Sequence, residues 1–120
     1  MLENFRKFQA GPDPFGQTWD VEFRWLQNAI TIRHADAIDV KFFIRSGDTL
    51  MEKVIALPHP QLKELAKETE HSLSDPWCMK LAALHVQHVI ESGEDLEKTL
   101  ITPAPDQLAE YARKLKYVHV

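Results

Sequence analysis

Between Trp19 and Trp25 the chain alternates strictly: Trp19, Val21, Phe23 and Trp25 are large and apolar, while Asp20, Glu22 and Arg24 are charged. A period of two puts the apolar side chains on one side of an extended strand and the charged ones on the other. The segment therefore predicts a strand over 18–26 with one buried face. The parity continues downstream, where Ile30, Ile32, Ile38, Val40, Phe42 and Ile44 all fall at even positions. His34 and Asp36 interrupt that series with polar groups where the pattern asks for core.

Gln27-Asn28 suits a two-residue hairpin loop, because Asn tolerates the positive φ such turns require. That register sets Trp25 against Ile30, Phe23 against Ile32, Val21 against His34 and Trp19 against Asp36. A single strand over 30–45 at about 3.3 Å per residue would run roughly 50 Å, too long for a domain of this size, so a bend is expected near His34 to Ala37. Strands at 38–45 and 49–57 follow, joined at Gly47-Asp48. They set Ile44 against Met51, Val40 against Ile55 and Ile38 against Leu57. Lys53 then falls opposite Phe42, which suits an exposed edge strand.

Pro58 and Pro60 end the sheet pattern, and Leu62, Leu65 and Ala66 recur at helical spacing, predicting a helix over 60–70. Asp75-Pro76 reads as an N-cap followed by proline in the first turn, and Gly93 is placed to terminate, so a second helix spans 76–92. Its apolar set occupies most of its circumference, which marks it as the central helix. Glu94 to Thr99 suggests an added helical turn, and a last helix covers about 105–117 with Leu108, Tyr111, Ala112 and Leu115 inward. At the other end, Leu2, Phe5 and Phe8 form a helical stripe before the Gly11-to-Gly16 breaker loop. The expectation is an α+β fold: an antiparallel meander of three or four strands over about 18–57, packed on one face by three C-terminal helices. Residues 1–120 are read as a single domain, with 1–16 an N-terminal arm and loop.

Composition narrows the class. The chain has 120 residues, 44% hydrophobic and 27% charged, which is ordinary globular usage. No apolar run approaches the roughly 20 residues of a membrane span, and the N-terminus carries Glu3, Arg6 and Lys7, so no membrane partner and a cytoplasmic location are expected. A net charge of −4 argues against nucleic acid as a partner. Arg113, Lys114 and Lys116 cluster, but at a helix end where cations also suit the dipole.

Candidate chemistry is sparse. His34 and Asp36 are candidate catalytic residues, a histidine able to act as base or ligand with a carboxylate to orient it. The plainer alternative is that the sheet face ends there and both lie in a turn. His85 joins them as a candidate ligand-binding residue at the mouth of a pocket between the sheet end and the central helix. His85 and His88, at i and i+3, are the weak metal candidates, without the Glu that makes HExxH informative. Cys78 lies too far along the helix from His85 to share an ion, and the commoner state of a lone Cys on an apolar helical face is structural. As a nucleophile it would need a histidine brought close by the fold, with His34, His59 and His71 the candidates. No GxGxxG, P-loop or GxSxG is present, and no cofactor is expected.

Phe43 points to the face opposite Phe42, together with Leu50, Val54 and Ala56. An apolar patch within a charged rim marks a partner surface. Phe43, Leu50 and Val54, with the stripe of Leu2, Phe5 and Phe8, are therefore the candidate interface. The leading expectation is a non-enzymatic interaction module that associates with itself as a dimer or with another protein. Its rival is a small enzyme or ligand-binding domain around His34, Asp36 and His85.

Overall fold

A computed structural model describes residues 4–29 and 37–118. Its elements in chain order are β1 (Lys7–Ala10), β2 (Trp19–Ala29), β3 (Ala37–Ser46), β4 (Thr49–Pro58), α1 (His59–Thr69), α2 (Asp75–Ser92), β5 (Leu100–Ile101) and α3 (Pro105–Val118). The strands form one sheet in the order β1-β2-β3-β4-β5, antiparallel except for the parallel β4–β5 pair. The architecture is thus α+β, two layers deep, with extents of 40 × 38 × 22 Å.

Parity decides the core. Ile38, Val40, Phe42 and Ile44 of β3 face inward beside Val21 of β2 and Ile55 and Leu57 of β4, each at most 3% exposed. Burying one such side chain completely contributes roughly 1.5 to 3 kcal/mol. Ile44 opposes Met51, Val40 opposes Ile55 and Ile38 opposes Leu57, as the alternation predicts, with Gly47 at φ 59° in the connecting turn. α2 lies across the inner face and buries Cys78, Leu81, Ala82, Val86 and Ile90, consistent with its broad apolar surface.

Four local expectations are corrected. The chain does not turn at Gln27-Asn28, because β2 continues to Ala29 and pairs with β3 as far as Ala37, so the connection falls in 30–36, outside the described residues. A long ladder outweighs one Asn turn signal. A bulge between Phe23 and Trp25 then re-phases β2: Leu26 opposes Val40, and Trp25 stands opposite Lys41 on the outer face, 38% exposed. At the N-terminus, Lys7–Ala10 form a strand against Trp19–Glu22 instead of a helix or docking arm over 2–9. Lastly, β5 covers the middle of β4, and Lys53 is not on an exposed edge but 1% exposed in the inner layer.

Helix ends follow local rules. Ser74, one residue before the expected Asp75, caps α2 by accepting a hydrogen bond from the Trp77 N–H, and Gly93 ends it at φ 76°. A side chain on Gly93 would also strike Pro14, since an added Cβ would come within 2.6 Å of Pro14 Cγ. Pro14 belongs to a loop knotted around Asp13, whose carboxylate accepts from the Phe15 and Gln17 N–H groups and from Trp19 Nε1 at 2.9 to 3.0 Å. These bonds, the Trp19 one foremost, hold the Asp13 carboxyl below its ordinary value of 3.8. The carboxylate therefore adds stability above that value, which is lost as pH falls through the lower folded value. Asp13→Asn is expected to be less stable than wild type at pH 6, with the gap closing below pH 3.8, as read by urea unfolding.

Candidate functional site

All three helices pack on one side of the sheet, leaving the other side uncovered among the described residues. The strand registers bring Phe43, Leu50 and Val54 onto that open face together with Trp25 and Leu100. Leu50 is 52% exposed and Leu100 61%, high values for leucines in a sheet. Phe43 is half-buried between two cations, with Arg24 Cζ 4.9 Å and Lys41 Nζ 5.3 Å from its ring centroid. Lys41 also lies 5.7 Å from the Trp25 ring and pairs with Glu52 at 3.0 Å. A groove of about 360 Å³ crosses the β1 side of this face, its walls including Lys7, Glu22, Phe43, Arg45 and Leu50.

Charge on the face is balanced. Its cations are Lys7, Arg24, Lys41 and Arg45, and its anions are Asp20, Glu22, Asp39 and Glu52. The chain as a whole carries −4, so the excess negative charge lies elsewhere. Asp39 is half-buried, and burial holds its carboxyl above the ordinary value.

The other interface candidates separate from this face. Phe5 and Phe8 pack against the core, Phe8 opposite Val21 and Phe5 under the Lys80 ammonium at 5.6 Å. Leu2 lies outside the described residues. The sequence missed Trp25 and Leu100. A bulge leaves no mark on an alternating run, and a two-residue strand is shorter than any period.

The histidine candidates take different places. His34 and Asp36 lie outside the described residues. His85 is not at a pocket mouth: it is 3% exposed beneath α3, with its Nδ1 2.7 Å from the Tyr111 hydroxyl. Burial, reinforced by neighbouring His88, lowers its pKa to about 4, and burial likewise raises the Tyr111 phenol above its ordinary range. Both groups are neutral at pH 7, and the phenol O–H donating to Nδ1 satisfies the pair. His88 stacks on His85 with centroids 5.9 Å apart and its Nε2 lies 3.6 Å from Glu94 Oε2. Among the described residues no three His, Cys, Asp or Glu side chains group as metal ligands. Cys78 is fully buried, and burial raises its thiol pKa to about 12, which removes the thiolate a nucleophile needs. His71 stacks on Trp77.

No helix among the described residues is long and apolar enough to cross a membrane. No family model, no curated protein and no solved structure matches this chain.

Proposed function

We propose that the chain is a non-enzymatic interaction module that associates with itself, face to face, through the open side of its sheet. The observation that carries this reading is the group of large apolar side chains, Trp25, Phe43, Leu50 and Leu100, on the one sheet face that no helix covers. Across the strands these apolar groups alternate with Lys41, Arg45 and Glu52, so the face joins exposed apolar area to paired charge, as association surfaces do. Charge balance favours a second copy, since a face bearing equal numbers of both signs does not repel itself as the acidic remainder does. Area is at the lower bound of specific interfaces: β2, β3 and β4 are 10 or 11 residues long and β1 and β5 add four and two, so at about 3.4 Å per residue and about 4.8 Å between strands the face covers about 600 Å², and two such faces hide about 1,200 Å².

A closed two-fold pair is the simplest assembly. Light scattering after size exclusion at about 100 µM is expected to give twice the 13.9 kDa chain mass. Phe43→Asp is expected to weaken the pair about a hundredfold, because it removes the aromatic ring from the middle of the face, while the melting temperature at about 1 µM, where the chains are apart, stays unchanged. A wild-type monomer at that concentration sinks the reading. The cytoplasm, where a lone cysteine stays reduced, is the proposed compartment.

A further inference from the structure

The sheet has a second unfinished boundary, at the edge of β2. β1 pairs only with Trp19 to Glu22, and one more backbone bond, from the Phe23 N–H to the Arg6 carbonyl at 2.7 Å, closes that ladder. From Trp25 to Ala29, β2 is held by β3 on one side, and no described strand lies on the other. This run is Trp-Leu-Gln-Asn-Ala, with no charge and no proline, the guards that sheets ordinarily place on an open edge. Beside it lies a cleft of about 330 Å³, walled by Phe23, Trp25 and Leu26 of β2, by Pro76 and Met79 of α2, and by Arg6.

We infer that this edge and cleft take up an extended peptide by strand addition. One apolar side chain of the peptide fills the cleft, and a carboxylate two positions away pairs with Arg6. Strand addition requires an unpaired backbone edge for affinity and a pocket for alternate side chains for specificity, and among the described residues both occur here between a strand and a helix. Residues two apart on an extended chain share a face, which sets the spacing of the two recognised groups. Met79 supplies an adaptable wall. The charge preference follows from Arg6, whose guanidinium lies 5.5 Å from the Phe23 ring centroid and is in no ion pair among the described residues. Asp75 also lines the cleft, so the comparison of Glu and Lys peptides reads which of the two charges sets the preference.

Trp25 makes the test direct, because Trp19 and Trp77 are only 3% and 5% exposed and Trp25 alone of the tryptophans meets solvent at this site. The probe is the acetylated, amidated peptide Thr-Glu-Thr-Leu-Thr-Val-Thr. It is compared with a version carrying Lys for Glu and one carrying Pro for the threonine before the leucine. The Glu peptide is expected to shift Trp25 emission to the blue, saturating below about 1 mM. The Lys peptide should bind about fivefold more weakly, the effect of one exposed charge pair, and the Pro peptide should not bind. Arg6→Glu, at an exposed position, is expected to invert the preference between the Glu and Lys peptides. Because Trp25 also lies on the self-association face, the titrations use the Phe43→Asp chain, in which that face is not paired, so failure of self-association and failure of peptide binding are distinguished. Absence of any shift at about 1 mM Glu peptide overturns the inference. So does equal binding of the Pro peptide, or an Arg6→Glu chain with unchanged preference.

Discussion

Lowering the pH from 7 to 4 is expected to remove about 3 kcal/mol of folding stability through one imidazole, that of His85. Its folded pKa is about 4, against 6.5 in an open chain, because burial beneath α3 penalises the charged ring and His88 beside it adds to the penalty. Between those two values the unfolded chain binds a proton that the folded chain does not. Stability therefore rises with pH across the window and falls as acid is added. Above 6.5 the ring is neutral in both states and contributes no slope, and below about 4 both states are protonated and the loss is complete. Asp13 acts at lower pH, below its ordinary 3.8, so the two groups are separable along one titration.

The measurement is urea unfolding at pH 7, 5.5 and 4 for wild type and His85→Gln. Glutamine keeps a polar partner for the Tyr111 hydroxyl, 2.7 Å from Nδ1 in wild type, and does not titrate. The variant is expected to start less stable at pH 7 and to lose about 3 kcal/mol less than wild type on the way to pH 4. Identical slopes for the two chains would show that the ring is hydrated in the folded state, contrary to its 3% exposure.

How much of this was legible in the sequence depends on the length of each signal. The β3–β4 register could be read from Ile38, Val40, Phe42 and Ile44 against Met51, Ile55 and Leu57, because long alternating runs admit one pairing that buries both apolar sets. Helix α2 was legible from its caps, with Pro76 in the first turn and Gly93 past the end. The outer placement of Phe43, Leu50 and Val54 followed from the same parity. Trp25 was misplaced because a bulge inserts one residue into the ladder without changing the local alternation that predicted its burial. β1 and β5 are four and two residues long, and each is a strand only because a neighbour offers an edge. His85 was expected at the mouth of a pocket, and the structure instead buries it beneath α3. Its environment depended on Tyr111, 26 positions away, and no local pattern contains that contact.

Lys53 illustrates the same limit and carries the other large expected effect: Lys53→Ala should lose about 2 to 4 kcal/mol and free the segment that ends in β5. Opposite Phe42 in the inner layer, Lys53 runs its alkyl stem through the core and donates from Nζ to the Leu96 and Lys98 carbonyls. Burial lowers its pKa, and the negative charge of Glu97 partly offsets that. Together with the bond from the Val54 N–H to the Thr99 carbonyl at 2.7 Å, the ammonium draws the chain after α2 against β4. Alanine deletes the stem and leaves both carbonyls without this donor. Lys53→Met separates the two losses, since it keeps most of the apolar stem and relieves the cost of burying a cation. Methionine is therefore expected to restore part of the global stability lost in alanine without restoring the local clamp. Hydrogen exchange at the Val54 amide, which donates to the Thr99 carbonyl, should accelerate about tenfold or more in both variants, while β3 amides follow global unfolding. If that amide stays protected in Lys53→Met, the Thr99 bond and packing of Ile101 hold β5 alone, and the lysine does no more than fill space.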